Sequence, residues 1–572
     1  METSKKSIAS NNFLQKISTN RVPLLSNGNN RDNYSIPFNQ GYLIITTDTY
    51  LETIQPFIEW KRLLGNNVFV ESKPQGQWTA TQVKETVQDH WFNDSIQYLL
   101  IIGGKNDVPG TNFSFSFQGE TLYATTDYYY GLPMDSLGIP RIFRGRIPVT
   151  NVRDAEIVLD KIIQYELNPV ADESFYANGV NCAYFQDSDN NQHEDHAFTL
   201  TAENIRHHLT NNYGKLIHRL YSAKDSISPR YWAGFPYSDG IEIPQELQRN
   251  NYTWNASRDS IASYINQGSF YVLYSDHGDG GQWSYPKFDK NDINSLLRNG
   301  NKLPVVFSIC CRTGDFDLDV ACFAENFLKK ENGGCVGIIA STEKVITGYM
   351  DAVTLGMFDA IWPGLQPHFT FTTFPGYSPN NPPTYELGKI LDQGLIKMSE
   401  TFGLNYNLYT ATTWKLFHCF GDPSMRMLVN TPLEFEMPRI VNLGTRFFVI
   451  SDDGDCKCTF YDKKTKRIKT AYGNWFTYDY SLDNIIVCLD RPGYKPLIID
   501  LSNDINIQNE RIHESIRTYS GDNIQIGRSV TFEKERGHVD IQNSSINISG
   551  KMLRIKDCTK IINSNFSFTN AQ

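Results

Sequence analysis

Residues 269–280, SFYVLYSDHGDG, and residues 302–316, KLPVVFSICCRTGDF, are two versions of one device. Each is a short apolar run that stops abruptly at a polar, glycine-containing turn. Each follows a stretch with helical spacing, RDSIASYINQG at 258–268 and NDINSLLRNG at 291–300. Unbroken apolar runs set between helices predict strands covered on both faces, as in a parallel α/β sheet. In such sheets, ligands bind beyond the carboxyl ends of the strands. His277 and Cys311 stand just past two such ends. If the strands are neighbours, both side chains project into one crevice.

The same alternation extends outward. GYLIITT (41–47), NVFVES (67–72) and IQYLLIIGG (96–104) predict strands, separated by helical patterns at 49–65 and 79–92. The amphipathic stretch DAEIVLDKIIQYELNP (154–169) closes a first α/β unit near residue 172. GVNCAYF (179–185) opens a second, which continues through the quoted pair, GCVGIIAST (334–342) and TYELGKILDQGLIKM (384–398), and ends with WKLFHCFGDPSMRM (414–427). After residue 431 helical periodicity vanishes. Short alternating runs over 432–502 predict a small β-sandwich, and Ile/Asn/Ser-rich strands over 503–572 predict a β-solenoid-like module. The first 40 residues are polar and Ser/Asn-rich, which predicts a disordered tail and shows no signal-peptide core.

Composition bounds the function. The 572 residues are 40% hydrophobic and 20% charged, with a formal net charge of −10. That balance argues against nucleic acid as the main partner. No run approaches the roughly 18 apolar residues of a membrane span. The ten cysteines include no paired CxxC motifs, which argues against a structural zinc site. The eleven histidines supply no HxxxH pair, so a metal hydrolase reading of SDHGDG has no ligand set.

A cysteine and a histidine at neighbouring strand ends are the parts of a thiol nucleophile and its proton-transfer partner. Side chains alternate across a strand, so Cys310 and Cys311 point to opposite sides. Cys310 continues the apolar run and reads as core, whereas Cys311 opens the polar turn and is the candidate nucleophile. Gly278 lets the main chain approach closely, and its N–H with that of Cys311 could form an oxyanion hole.

YSDHGDGGQW, FSICCRTGDFD and WKLFHCFGDPSM, in that order, resemble the gingipain family of cysteine peptidases. The resemblance covers roughly residues 40–430 and implies a caspase-like α/β catalytic domain built of two α/β subdomains with mostly parallel sheets. It implies Cys311 as nucleophile, His277 as its partner, and Trp283 as a pocket residue. It also implies an acid that orients the histidine, for which Asp187 is the candidate, with Gln186 and Asp189 as rivals. Members that cut after Arg or Lys use a buried acid in the primary pocket. Asp195, Glu194, Glu343 and Asp351 are the candidates here. No cofactor is required for the chemistry. Structural calcium, common in the family, could sit at QDSDNNQHED or DFDLD, although neither has the register of an EF-hand loop. The resemblance further implies an Ig-like sandwich after the catalytic domain, a tail of the kind seen in secreted Bacteroidetes proteins, and a secreted or cell-surface location with possible attachment through that tail.

Three functions follow: an endopeptidase acting on protein or peptide substrates, a sortase-like transpeptidase of the same fold, and a catalytically silent peptidase-like binding protein. The presence of both His277 and Cys311 counts against the third.

Overall fold

The structure, a computed structural model, describes residues 40–134, 138–234, 240–365, 382–402, 408–442, 447–478 and 484–501, together with the backbone of strands between 504 and 568. The polar segment expected over 1–40 lies outside the described residues, apart from Gln40.

Ten strands form the central sheet. In chain order they are β1 (Gln40–Thr47), β2 (Asn66–Lys73), β3 (Ile96–Ile102), β4 (Phe143–Ile147), β5 (Asn178–Tyr184), β6 (Leu216–Ser222), β7 (Tyr271–Ser275), β8 (Val305–Ile309), β9 (Gly337–Ser341) and β10 (Phe417–Phe420). Their spatial order is β2-β1-β3-β4-β10-β9-β8-β7-β5-β6. The two subdomains expected from the sequence therefore share one sheet. Neighbours are parallel except β9 and β10, which are antiparallel. At that seam the sheet changes direction, so the carboxyl ends of β5, β7, β8 and β9 open on one edge and those of β1, β3 and β4 on the opposite edge. Strand β10 comes from the end of the second unit yet continues the first half of the sheet.

Helices cover both faces. The five used below are α1 (Gln55–Leu63), α2 (Val152–Leu167), α3 (Phe198–Tyr213), α4 (Phe323–Lys329) and α5 (Tyr349–Ile361). The sequence predicts α1 from residue 49; it begins at Gln55, with Pro56 in its first turn, where a missing N–H costs nothing. Every residue of β7 and β8 is buried. Odd-numbered positions face α5: Tyr271 and Phe307 both pack on Phe358, with ring centroids 5.2 and 4.9 Å apart. Even-numbered positions face the other way, where Tyr274 stacks on Trp283 at 4.4 Å and Ser308 accepts from Trp283 Nε1 at 2.8 Å.

The FGDPS turn that closes the second unit is structural. Asp422 accepts from Tyr42 Oη at 2.7 Å and from Ser424 N at 2.8 Å. It also pairs with the buried Lys61 of α1, which bonds Glu166 of α2 at 2.7 Å. A buried cation with two anionic partners escapes the penalty of an unpaired charge.

Residues 432–501 contain two antiparallel sheets. One holds Arg439–Asn442, Phe447–Ile450 and Trp475–Tyr478, and the other Cys456–Asp462, Ile468–Gly473, Ile485–Asp490 and Leu497–Asp500. Val449 and Phe476 from the first share a core with Phe460, Val487 and Leu489 from the second. This unit rests on the first α/β unit, where Trp60 and Leu64 pack on its Cys488, and on the end of the second through an Arg426–Asp490 ion pair. Beyond it, the described strands stack in parallel coils. Asp504–Ile507, Asn523–Ile526, Ser545–Ile548 and Asn565–Phe568 form one side, with two further three-stranded sheets beside it.

Candidate active site

Strands β5, β7 and β8 are adjacent and in register, with Ala183 beside Ser275 and Ser275 beside Ile309. Two residues beyond their respective ends stand Gln186, His277 and Cys311. The parity of the strands fixes the facing. His277 continues the odd positions of β7 and Cys311 those of β8, so both project to the α3/α5 side of the sheet. Cys310 and Gly278 continue the even positions. A methyl group at Gly278 would lie 2.7 Å from Cys310 Sγ, so only glycine lets these two turns close on each other.

Cys311 is the one described cysteine that is not buried. Cys310 is enclosed by Ser308 Oγ at 3.5 Å and Thr313 Oγ1 at 3.6 Å, and burial pushes its thiol far above the ordinary range. The Cys311 thiol is also raised, chiefly by burial and then by Glu343; the Val345 N–H and Lys344 act in the opposite direction. Burial lowers His277, with Asp195 pulling the other way. Both shifts favour the uncharged forms, a thiol at Cys311 and a neutral imidazole at His277. Arg312, next in sequence, holds a left-handed backbone (φ 61°), which turns the chain away sharply after the thiol. Its N–H donates to Glu343 O at 3.4 Å and its guanidinium to Asp315 at 2.9 Å. A Cβ on Gly314 would meet the Phe420 ring at 2.5 Å, so the turn lies directly against β10.

The candidate oxyanion donors sit at the same strand ends. Ser284 N donates to His277 O at 3.0 Å while Gly278 faces Trp283 across the 278–289 hairpin. In that register the Gly278 N–H points away from its hairpin partner. The Cys311 N–H lies beyond the last residue of β8.

The side chain that meets the His277 ring nitrogen is that of Gln186 rather than Asp187. Gln186 Oε1 is 2.7 Å from His277 Nε2. Asp187 instead accepts from the backbone N–H groups of Asn191 and Gln192, each at 3.0 Å, and closes its own turn. Asp189 likewise bonds Asn191.

Trp283 is no pocket residue. It is fully buried on the even face, opposite His277 and Cys311, among Tyr274, Phe288, Phe323 and Phe327. The acids considered for a primary pocket are also largely committed. Asp195 Oδ2 accepts from Gln186 Nε2 at 3.0 Å and Ser188 N at 2.9 Å. Glu343 faces Arg312 Nε at 3.7 Å. Asp351 caps α5 through Gly348 N and accepts from Thr201. Glu194 differs: Thr199 donates to one oxygen, while the other is buried without a partner, and burial holds its pKa well up.

Two further neighbours of the histidine carry no motif or spacing that marks them in the residues. The rings of His196 and Phe198 meet His277 edge-on, at 5.5 and 5.3 Å. Residues 194–198 thus run alongside the histidine.

Asp187, Asp189 and Asp195 bring carboxylate oxygens within 4.8 Å of one another, a grouping of hard donors suited in kind to calcium. These oxygens already accept N–H groups from their own loop and from Gln186.

A partly exposed thiol and an oriented imidazole at adjacent carboxyl ends of a parallel α/β sheet define the caspase-like class of cysteine peptidase. Comparison with known proteins narrows this further. Residues 36–428 match the model of Peptidase family C25, and the chain belongs to that family. It is 24% identical over 452 residues to Gingipain R2 of Porphyromonas gingivalis, an alignment that takes in 74% of this chain and 53% of the relative. It is 20% identical over 409 residues to Lys-gingipain HG66 of the same organism, covering 69% and 21%. The chain therefore spans about half the length of Gingipain R2, or less for other relatives. The crystal structure of the Arg-specific cysteine proteinase gingipain R superposes with a TM-score of 0.62 at 20% identity, over 80% of this chain and 97% of that one.

Proposed function

We propose that the chain is a cysteine endopeptidase that cleaves proteins or peptides after basic residues. The observation that carries the reading is the placement of Cys311 and His277 on one face of two neighbouring strand ends, with Cys311 the only accessible thiol among the described cysteines. With Nε2 held by Gln186, Nδ1 is the ring atom left for the thiol. It takes the Cys311 proton as sulfur attacks the scissile carbonyl, then delivers it to the leaving amine. The N–H groups of Gly278 and Cys311 are assigned to the oxyanion, and water hydrolyses the thioester. No cofactor takes part in this scheme.

Preference for a basic side chain is supported by the names of the relatives, which include an Arg-specific proteinase and a Lys-gingipain. It is also supported by Glu194, whose partnerless oxygen lies on the segment beside His277. A buried carboxyl without a counter-charge is costly to ionise and becomes favourable only when a cation arrives. Location outside the cell belongs to the same reading. Eight of the nine unbridged cysteines described are buried and so protected from oxidants. Among the described residues no helix is long and apolar enough to cross a membrane.

Fluorogenic peptides differing only at the residue before the cut test the proposal. Arg or Lys is expected to exceed Ala by about 100-fold or more in kcat/KM, as for a charge read by a buried acid. Glu194→Gln is expected to remove most of that ratio while sparing the Ala substrate. Equal turnover of the three peptides, or a ratio unchanged in Glu194→Gln, contradicts the pocket assignment.

A further inference from the structure

The geometry points to Asp195 as a positioning residue that sets the tautomer of His277 through the side-chain amide of Gln186; this rests on the peptidase reading above. An ionised carboxylate only accepts hydrogen bonds. Asp195 Oδ2 lies 3.0 Å from one end of the Gln186 amide, so that end is the NH2 group. Ser188 is compatible with this orientation: its Oγ accepts from Gln186 Nε2 at 3.0 Å, and its N–H donates to the same Asp195 oxygen at 2.9 Å. The carbonyl end is then forced toward His277, 2.7 Å from Nε2. A carbonyl only accepts, so Nε2 carries the proton and Nδ1 presents its lone pair to the thiol. With the amide reversed, its NH2 would face Nε2. The neutral ring would then place its proton on Nδ1, where it cannot accept the proton of Cys311.

A neutral amide cannot choose its own direction, because its two ends differ by little in size. The charge one bond further out makes the choice. In a peptidase whose histidine faces a carboxylate directly, no such choice exists, since both carboxylate oxygens accept. Gln186 therefore creates a requirement that Asp195 meets. His196 and Phe198 hold the ring edge-on and leave its rotation, not its tautomer, constrained.

The test reads the tautomer without requiring turnover. The protein is labelled with 15N-histidine in a Cys311→Ala background, and long-range 15N–1H spectra are recorded, with the His277 signals assigned from their loss in His277→Gln. The Nε2–H form is expected. Asp195→Asn, whose own amide can face either way, is expected to mix the two tautomers. In the Cys311-containing protein the same change is expected to lower kcat about 10- to 100-fold with little change in KM, as a wrong tautomer does. Adding Gln186→Glu to Asp195→Asn gives His277 a direct carboxylate and is expected to restore both the Nε2–H form and kcat. An unchanged tautomer in Asp195→Asn overturns the inference, whether or not activity falls, and so does a double variant that stays as impaired as the single. If Asp195→Asn does not fold, Gln186→Leu makes the same test by uncoupling the two ends, and retention of a pure Nε2–H form there overturns the inference. Peptide cleavage missing from the unmodified protein, with the tautomer as expected, counts against the peptidase reading and leaves the relay standing.

Discussion

Cys311→Ala is expected to abolish peptide cleavage, by about 1,000-fold or more, while Cys310→Ala retains it. The two side chains differ in every property that matters to a nucleophile. Cys311 shares a face with His277 and is partly accessible, with the Val345 N–H directed at its sulfur. Cys310 is wholly buried on the opposite face, against Gly278, Ser308 and Thr313. Removing its sulfur deletes a small piece of core and leaves the turn intact. Steady-state cleavage by both variants, with thermal unfolding to show that each is folded, checks the contrast. Substantial cleavage by Cys311→Ala would move the chemistry elsewhere.

Trp283→Ala is expected to cost about 3–5 kcal/mol of stability, the range for deleting a large buried aromatic side chain. The ring stacks on Tyr274 at an interplanar angle of 3°, contacts Phe323 and Phe327 of α4, and donates its only N–H to Ser308. Its loss opens a cavity beneath β7 and β8 and leaves Ser308 without that bond. Because Trp283 lies across the sheet from the thiol, whatever fraction stays folded is expected to keep the ratio of Arg to Ala cleavage. Urea unfolding gives the first quantity and peptide kinetics the second. A stable variant with an altered ratio would return Trp283 to the substrate pocket.

Much of this architecture is legible in the residues. The apolar runs 271–275 and 305–309 mark covered strands, and the polar turns after them mark the crevice edge, so His277 and Cys311 follow from position. Gln186 stands at the matching offset after β5, yet a search for a carboxylate passes over an amide in favour of Asp187. Trp283 looks like a pocket residue because it follows the HG turn closely. The hairpin between 278 and 289 folds it back under the sheet, and nothing local encodes that reversal. Helix α5 leaves no amphipathic stripe, since it is covered on nearly all sides by α3, β8 and the following helix. The change of direction between β9 and β10 is equally hidden, because it depends on a pairing between residues 337–341 and 417–420 that only the folded sheet brings together.

The most direct measurement is active-site labelling followed by peptide mapping. The folded protein is treated with a peptidyl chloromethyl ketone bearing Arg, and separately with one bearing Ala, and the modified cysteine is located by mass spectrometry. A single adduct on Cys311 is expected, formed faster with the Arg reagent and lost in His277→Ala. An adduct on Cys310, or none on the folded protein, would contradict the Cys311 assignment.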